Sequence, residues 1–470
     1  MLSSLALTMK SIRFLCFFAI LGSAAMFAQR NGIPFINQPL LPDAVAPGGP
    51  AFTLTVNGSG FVSGAVVKWN GNVRATTFVS ESQVTAAIST SDIAKAHTAK
   101  ITVQNPRGEP SNATLFPVAA GVSTFRMNGQ QFGTGGQNSN GLVTGDFNGD
   151  GKIDIAVVAG AGISVLLGNG DGTFQPHVDY ALPATAIAMA CADFNHDGKL
   201  DLAVTHGNSV SLFLGKGDGT FASPTSFAIG MSPDTMVAAD FNGDGNMDLA
   251  VTTSNGSAQL SVRLGNGRGG FGPLLISAIG LGDTPVGIAA GDFNGDGKLD
   301  LVTAAFGNTY SVMLGNGDGT FQTTTTTLAS CLSGVTTADF NGDGMLDLAI
   351  TYGCGFQAGK VSILLGDGHG NFGAPQDFTT VGPFPSGVVT GDFNNDGKVD
   401  LLVADFTSNP GILLGNGDGT FQKVLQFSTG VGGGFKLVTA ADVNNDGELD
   451  IVLGGTSFQQ AEVAVMVQKR

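Results

Sequence analysis

A nine-residue stretch with regularly spaced oxygen-bearing side chains occurs seven times in this sequence. The first copy, residues 146–154, reads DFNGDGKID. Successive copies are separated by 47 to 53 residues, which indicates a stack of similar structural modules. The other copies start at Asp193, Asp240, Asp292, Asp339, Asp392 and Asp442.

Each copy offers side-chain oxygens at positions 1, 3, 5 and 9, always as Asp, Asn, Asp and Asp. Calcium takes about six to eight oxygen ligands, and a backbone carbonyl at position 7 would add to these four. The glycine at position 6 lets the backbone turn sharply enough to aim both flanks inward. We therefore predict one calcium site per copy, up to seven Ca²⁺ in all. The predicted ligands are Asp146, Asn148, Asp150, Lys152 and Asp154; Asp193, Asn195, Asp197, Lys199 and Asp201; Asp240, Asn242, Asp244, Asn246 and Asp248; Asp292, Asn294, Asp296, Lys298 and Asp300; Asp339, Asn341, Asp343, Met345 and Asp347; Asp392, Asn394, Asp396, Lys398 and Asp400; Asp442, Asn444, Asp446, Glu448 and Asp450.

An EF-hand loop also begins with D-x-N-x-D-G, but it needs a bidentate Glu at position 12. The residues after each loop are mostly β-branched and apolar, which predicts a buried strand where an EF-hand has a helix. A solvated turn rich in Asp and Asn is the alternative for one copy, whereas seven copies with unchanged ligand positions favour metal binding. Position 12 is occupied by Val157, Val204, Val251, Thr303, Ile350, Val403 and Leu453.

The composition favours short strands and tight turns. Glycine accounts for 72 of the 470 residues, and charged residues make up only 12%. The formal net charge is −16, and 21 of the 37 acidic residues occupy ligand positions. Seven calcium ions would bring this charge to about −2, so we expect a strongly negative net charge only in the metal-free protein. An acidic chain without a basic patch argues against nucleic acid as a partner.

Residues 1–28 are typical of a secretory signal peptide. Lys10 and Arg13 precede an apolar core at residues 14–21, and small residues follow at 22–25. No later stretch approaches the roughly 18 apolar residues that a membrane span needs. We expect a secreted or cell-surface protein that has no transmembrane segment and is monomeric.

Three cysteines lie beyond the predicted signal peptide. Cys331 and Cys354 bracket the fifth loop, and the sequence leaves a disulfide and two free thiols both open. Cys191 is interpreted as a small core residue. Trp69, the sole tryptophan, is predicted to lie in a core and not to form a sugar platform.

Residues 31–118 contain no copy of the loop and read as alternating strands separated by turn signals. About 90 residues of this kind predict a small β-sandwich. The stretches LTVNGSGF at 54–61, VKWNG at 67–71 and VQNPRG at 103–108 resemble the TIG or IPT Ig-like domain. That resemblance implies a spacer or a binding module. The expected strands are 53–56, 65–69, 75–79, 83–88 and 99–103.

Each later repeat predicts four short strands, which is the unit of a propeller blade. Each of the first six loops leads, after two strands, to a G-x-G-x-G-x-F hairpin, which we interpret as a plain turn because Arg268 and His369 replace its Asp. The seventh copy stops before its hairpin, and residues 124–134 carry the pattern that follows the hairpin elsewhere. We therefore predict that this segment closes the last of seven blades. The predicted fold is all-β, with a seven-bladed β-propeller at residues 121–470 preceded by a small Ig-like β-sandwich.

The loops and hairpins from Gly121 to Arg470 together resemble FG-GAP or VCBS repeat proteins, similar to the calcium-binding β-propeller of integrin α chains. Integrin propellers place calcium in only some blades, whereas all seven loops here keep a full ligand set. The sequence has neither a metal-dependent adhesion motif nor a partner-chain domain. The resemblance therefore implies a calcium-binding propeller without integrin-style recognition.

Three classes of function remain open. The first is a non-catalytic binding or adhesion module, whose unknown extracellular protein or glycan partner meets the face opposite the loops. The second is a lectin, although the tyrosines do not recur at one offset. The third is a polysaccharide lyase or hydrolase, which the five scattered histidines disfavour. The turns opposite the loops carry five aromatic residues, which either anchor a partner or pack on their own blades. They are Phe306, Tyr310, Tyr352, Phe356 and Phe406.

Overall fold

A computed structural model gives the fold, and within its described residues every regular element is a β-strand. No helix in that part of the chain is long and apolar enough to cross a membrane. The predicted signal peptide, residues 1–28, lies outside the described residues. The described ranges are 31–121, 127–136, 140–254, 258–280, 284–329, 331–355, 357–429, 434–457 and 460–468.

The first eight strands form an N-terminal unit of two four-stranded antiparallel sheets, ordered β1-β2-β6-β5 and β4-β3-β7-β8. The two sheets enclose one core, in which Trp69 is buried against Phe116 at 5.2 Å between ring centroids. The prediction that Trp69 is a core residue is therefore confirmed. The strands are β1 (Phe35–Ile36), β2 (Phe52–Ser59), β3 (Val66–Trp69), β4 (Asn72–Val73), β5 (Thr76–Ser80), β6 (Gln83–Ile88), β7 (His97–Gln104) and β8 (Thr114–Val118).

The remaining strands form seven four-stranded antiparallel sheets, here called sheets 1 to 7. Strand β9 (Met127–Gly133) precedes sheet 1 in sequence. Sheet 1 contains β10 (Leu142–Gly145), β11 (Asp154–Val158), β12 (Gly162–Leu166) and β13 (Val178–Ala181). Sheet 2 contains β14 (Ala186–Ala192), β15 (Asp201–His206), β16 (Ser209–Phe213) and β17 (Thr225–Ala228). Sheet 3 contains β18 (Pro233–Ala239), β19 (Asp248–Ser254), β20 (Ala258–Gly265) and β21 (Phe271–Ala278). Sheet 4 contains β22 (Pro285–Gly291), β23 (Asp300–Ala305), β24 (Thr309–Gly315) and β25 (Phe321–Thr327). Sheet 5 contains β26 (Leu332–Ala338), β27 (Asp347–Tyr352), β28 (Lys360–Leu364) and β29 (Gln376–Thr379). Sheet 6 contains β30 (Pro385–Gly391), β31 (Asp400–Asp405), β32 (Gly411–Leu413) and β33 (Leu425–Gln426). Sheet 7 contains β34 (Phe435–Ala441), β35 (Asp450–Ser457), β36 (Gln460–Gln468) and, as its fourth strand, β9.

The two middle strands of each sheet are almost wholly buried, as β11 and β15 show along their full length. Their runs of Val, Ile, Leu and Ala allow this because both faces of each sheet pack against neighbouring sheets. The fourth strands, such as β25, are mostly exposed, as expected for the outer edge of a sheet. Burial is therefore greatest in the two middle strands and least in the fourth, while first strands such as β10 are half-buried.

Neighbouring sheets contact each other through their first strands and through paired phenylalanines. The first strand of each sheet contacts that of the next, and β34 of sheet 7 contacts β10 of sheet 1. The Phe at position 2 of one loop packs against the hairpin Phe of the following sheet, with ring centroids 5.7 to 5.8 Å apart. Such edge-to-face pairs stabilise beyond the area they bury. The pairs are Phe147 with Phe221, Phe194 with Phe271, Phe241 with Phe321, Phe293 with Phe372, and Phe340 with Phe421.

Sheet 7 is completed from a distant part of the sequence. Strand β9 pairs antiparallel with β36, and Gly133 lies opposite Glu462. One core joins this sheet to sheet 1, where Val443 and Val463 lie in the same cluster as Phe174. The segment predicted from sequence to take this place was 124–134, of which residues 124–126 lie outside the described residues.

Candidate metal loops

Each of the seven predicted loops joins the first strand of a sheet to the second. Position 1 directly follows the first strand, as Asp146 follows β10, and position 9 is the first residue of the second strand, as Asp154 is of β11. The hydrophobic pattern of the first and second strands thus sets where each loop begins and ends. All the loops lie on one face of the array of sheets. We call them loops 1 to 7 in chain order and this side the loop face.

The side chains at positions 1, 3 and 5 fold back over the loop backbone. In loop 1, Asp146 Oδ2 accepts a hydrogen bond from Gly151 N at 2.9 Å, and Asn148 Oδ1 accepts one from Asp150 N at 2.9 Å. Asp150 Oδ1 in turn accepts from Lys152 N at 3.0 Å. The same three bonds recur in all seven loops. The glycine at position 6 has φ between 79° and 91° in every loop, a left-handed conformation that other residues rarely adopt.

The aspartate at position 9 is fully buried in every loop and anchors the loop to the rest of its sheet. Asp154 Oδ2 accepts from Phe147 N at 2.8 Å, and Asp154 Oδ1 accepts from Gly168 N at 2.8 Å, at the start of the hairpin. Sheets 2 to 6 repeat both bonds. In sheet 7, Gln468 N takes the place of the hairpin glycine, at 2.8 Å from Asp450 Oδ1. This residue therefore has a structural role in addition to the predicted role as a ligand.

Burial raises the pKa of the position-9 carboxyl in all seven loops. The carboxylates at positions 1 and 5 of the same loop raise it further, while the two backbone hydrogen bonds oppose the shift. Each loop thus concentrates three carboxylates closely enough to repel one another. The pKa is about 6 for Asp154, about 7 for Asp201, Asp300 and Asp347, about 8 for Asp248 and Asp450, and well above its usual range for Asp400.

The donor chemistry of the loops fits a hard cation. Three carboxylates and one amide oxygen per loop are the ligand types that Ca²⁺ prefers, and each carboxylate oxygen that accepts one N–H keeps a further lone pair. The lysine side chains at position 7 pair with the carboxylate at position 5 of the same loop, as Lys152 Nζ does with Asp150 at 3.2 Å. Within the described residues, however, no group of three or more His, Cys, Asp or Glu side chains is drawn together as a metal-binding set.

Two contacts between adjacent loops were missed by the sequence analysis. His196 Nε2 lies 2.9 Å from Asn246 Oδ1, which joins position 4 of loop 2 to position 7 of loop 3. Asn395 Nδ2 donates to Glu448 Oε2 at 2.8 Å and joins loop 6 to loop 7 in the same way. Both residues at position 4 have positive φ, as does Asn445 of loop 7, whereas loops 1, 3, 4 and 5 have glycine there. The sequence carried one signal for these contacts. In both cases a loop without glycine at position 4 is followed by a loop without lysine at position 7.

A family model described as an FG-GAP-like repeat matches this chain in six overlapping segments, which together cover more than half of it. The chain belongs to the FG-GAP-like repeat family. Each matched segment runs from one loop into the strand that follows the next loop, so it spans parts of two consecutive sheets. The segments are residues 146–204, 193–251, 240–303, 292–350, 339–403 and 392–453.

Two solved structures resemble the fold of this FG-GAP-like repeat protein. A lectin from Agrocybe aegerita, described for its specific recognition of non-reducing terminal N-acetylglucosamine, aligns with a TM-score of 0.45 and 18% identity, over 79% of this chain and 95% of that chain. The structure of BBS1N in complex with ARL6DN aligns with a TM-score of 0.48 and 13% identity, over 74% of this chain and 97% of that chain. At these values neither similarity bears on function. Comparison with curated protein sequences finds no significant match. The integrin-like and TIG/IPT resemblances stay predictions.

The hairpins of the FG-GAP-like repeats use their own aspartate within the turn. Asp171 Oδ1 accepts from Thr173 N at 2.9 Å and from Thr173 Oγ1 at 2.6 Å. These hydrogen bonds lower the pKa of the Asp171 carboxyl. The geometry agrees with the interpretation of the hairpin as a turn.

The aromatic residues predicted on the face opposite the loops, here called the far face, differ in their exposure. Phe306 and Phe406 are 53% and 51% exposed, whereas Tyr310 is buried. The Tyr352 hydroxyl donates to Asp377 Oδ2 at 2.6 Å, so this residue packs on its own sheet. Phe356 lies outside the described residues. Nearby, Cys331 and Cys354 form a disulfide, which settles the alternative left open by the sequence.

The N-terminal unit lies on the loop face of the repeats. Ile33 N donates to Asp240 Oδ2 at 2.8 Å, and Asp339 N donates to Gln38 O at 3.0 Å. Its first strand, β1, also reaches the sheets, since Phe35 packs against a cluster of sheets 3 and 4. The loop face is therefore partly covered by the chain itself.

Proposed function

We propose that this chain is a secreted or cell-surface, calcium-binding, seven-bladed β-propeller that acts as a non-catalytic binding module. Its protein or glycan partner meets the far face. The N-terminal unit, residues 31–118, is an Ig-like domain of the TIG or IPT type that packs on the other face of the propeller at 121–470. The observation that carries the proposal is that four large apolar side chains are exposed on the far face while the N-terminal unit partly covers the loop face.

Closure of seven blades is supported by the cycle of contacts between first strands, which returns from β34 to β10. Glycines allow a close approach at these contacts. A Cβ added to Gly141 would lie 3.0 Å from Met189 N, and one added to Gly287 would lie 3.0 Å from Val335 N. A ring of this kind leaves no inner sheet edge open for pairing with another chain.

Calcium binding is supported by the sevenfold repetition of one loop geometry with hard oxygen donors. When bound, the cation supplies positive charge that offsets the repulsion of three carboxylates. The residues that would hold it are those at positions 1, 3, 5 and 9, with the carbonyl of position 7. Bringing them together requires small movements of side chains that now bond to their own loop.

The far face offers four large exposed apolar side chains at the ends of strands in sheets 3, 4 and 6. Met231 is 53% exposed and Phe384 is 40% exposed, and both stand just before a first strand. Phe306 and Phe406 follow second strands, so all four lie opposite the loops. Phe406 N donates to Phe384 O at 2.9 Å, which holds two of these residues on adjacent turns. Exposed side chains of this size are typical interface anchors.

A catalytic role finds no support in the described histidines. His206 Nε2 lies 2.7 Å from Ser211 Oγ, a distance at which a base could activate a nucleophile, but both residues are buried and out of reach of a substrate. His196 is committed to Asn246 and lies 3.3 Å from Glu109.

The proposal is tested by screening the protein against glycans and extracellular matrix proteins in 2 mM calcium and again in chelator. Partner binding is expected to weaken at least tenfold in the double variant Phe306→Ala, Phe406→Ala. The matched control is Leu425→Ala, which removes an exposed apolar side chain from the outer strand of sheet 6 and should bind normally. A glycan ligand displaced by its free sugar identifies the lectin alternative. Equal loss in the control, or binding unaffected by the double variant, would refute the far face as the partner site.

A further inference from the structure

The seven loops are nearly identical in sequence but differ in their surroundings. The position-1 aspartate is half-buried in loops 1 and 2, where it is Asp146 or Asp193. It is 3% to 8% exposed in loops 3 to 7. Four of these five loops contact the N-terminal unit directly, namely loops 3, 5, 6 and 7, which we call the covered loops. Loop 2 also meets the unit, through His196 at 3.3 Å from Glu109, but its position-1 aspartate stays half-buried and it is not counted among them.

In loop 3 the contact involves a predicted ligand. Asp240 Oδ2 accepts from Ile33 N and from Gly245 N, both at 2.8 Å. The neighbouring Gly32 lies so close to the loop that an added Cβ would be 3.1 Å from Gly243 O. A cleft of about 220 Å³, lined by Ser59 of the N-terminal unit and by Asp240, leaves solvent access to this loop while the unit is docked.

Loops 5 and 6 share one residue of the N-terminal unit. Gln38 O accepts from Asp339 N of loop 5 at 3.0 Å, and Gln38 Oε1 accepts from Thr390 Oγ1, two residues before loop 6, at 3.2 Å. Asp43 of the unit is only 8% exposed and lies close enough to loop 6 to interact with Asp392 and Asp396. The unit therefore brings a further buried carboxylate to a loop that already has three.

Loop 7 meets the backbone of the N-terminal unit. A Cβ added to Gly447, at position 6, would lie 2.7 Å from His97 N and 3.0 Å from Val118 O. A Cβ added to the equivalent Gly151 of loop 1 would meet nothing within 4 Å, and the same holds for Gly344 and Gly397 in loops 5 and 6. The tight fit at loop 7 means that a change in the shape of this loop displaces the start of β7 or the end of β8.

Burying carboxylates beside one another is costly unless a positive charge offsets them. A cation held in each covered loop would reduce this cost when the N-terminal unit docks. By thermodynamic linkage, a docked unit must then favour cation binding to the same extent.

We propose that the N-terminal unit and the cations of loops 3, 5, 6 and 7 stabilise each other, so that the seven loops form two classes of site. Cations in the covered loops hold the unit on the loop face and leave slowly. Loop 1 binds its cation independently of docking. This inference rests on the proposed calcium binding.

The full-length protein tests it by hydrogen exchange, with the amides of Ile33 and Asp339 as reporters of docking. Chelation should accelerate exchange at both amides at least tenfold. In calcium, Asp244→Asn in covered loop 3 should accelerate Ile33 to a similar extent, and the matched Asp150→Asn in loop 1 should not. In chelator, Asp244→Asn and the wild type should exchange alike at Ile33, because the cation is then missing from both.

A variant of the N-terminal unit tests the reverse direction. Gly32→Val pushes a side chain against the backbone of loop 3, and Gly133→Val is its control because a Cβ there meets nothing within 4 Å. Gly32→Val should speed calcium release at least tenfold for the ions of the covered loops in a chelator-jump experiment, and Gly133→Val should not.

Calorimetric titration separates the possible failures. If calcium binds but chelation leaves exchange at Ile33 and Asp339 unchanged, the two-class proposal is wrong and calcium binding stands. If no calcium binds, both proposals are overturned. Uniform release from all sites in Gly32→Val and the wild type also overturns the two-class proposal.

Discussion

Replacing Asp300 with alanine separates the structural role of position 9 from its role as a metal ligand. Asp300 is fully buried, and its two oxygens accept from Phe293 N at 2.8 Å and from Gly315 N at 2.7 Å. Alanine leaves two buried N–H groups without an acceptor, at a cost of about 1 to 3 kcal/mol each. Removing a carboxyl whose pKa is raised to about 7 by burial returns part of that cost. We therefore expect a net destabilisation of about 2 to 4 kcal/mol.

The matched variant is Asp296→Ala, at position 5 of the same loop. Asp296 is exposed and accepts from Lys298 N at 3.0 Å and from Lys298 Nζ at 3.3 Å, so its loss should cost less than about 1 kcal/mol without metal. Urea unfolding followed by far-UV circular dichroism, in chelator at pH 7.5, gives both free energies of unfolding. In calcium each variant should lose one bound ion. Equal stability of the two variants in chelator would refute the anchoring role of position 9.

Three further predictions concern the whole protein. Chelation should lower the Tm, because each site at a calcium concentration of one hundred times its Kd contributes about 2.7 kcal/mol, and a thermal scan that is identical with and without chelator contradicts structural calcium. In chelator the free energy of unfolding should fall as pH rises from 5 to 8, because the folded state holds protons on position-9 carboxyls of pKa about 6 to about 8, and the unfolded state releases them. Adding 2 mM calcium should abolish this pH dependence. A free energy of unfolding that rises over this range would show that these carboxyls are not protonated in the fold. Reducing the disulfide between Cys331 and Cys354, which are 23 residues apart, should cost about 3 kcal/mol in urea unfolding, and a Cys331→Ser, Cys354→Ser variant that is insensitive to reductant provides the control; an unchanged midpoint in the reduced wild type counts against a stabilising bridge.

The four-stranded repeats and the position of the loops could be predicted from sequence because both depend on local patterns. The first strand ends immediately before Asp146, and the second begins at Asp154, where the β-branched run starts. The strand at 127–133 could also be predicted, as part of residues 124–134, because its pattern matches the strands that follow the hairpins. The N-terminal unit was predicted less completely, since β1, β4 and β8 are short or interrupted by proline.

The contacts between repeats could not be predicted in the same way. The bond of Asp154 to Gly168 N depends on how a hairpin folds back on its own loop. The contact of His196 with Asn246 joins residues 50 positions apart in different sheets. The contacts of the covered loops come from residues 31–43 and other parts of the N-terminal unit, whose sequence has no relation to the repeat. Seven similar motifs gave no indication of which loops the unit would contact.

The pairing of β9 with β36 has a consequence for biosynthesis. Sheets 1 to 6 each use strands from one continuous stretch, so each can assemble soon after it leaves the ribosome. Sheet 7 must wait, because Gly133 finds its partner Glu462 only when residues 460–468 have been translated. Until then β9 presents an unpaired strand, and a nascent chain stalled late in synthesis is the state in which this protein is most exposed to misassembly with another copy.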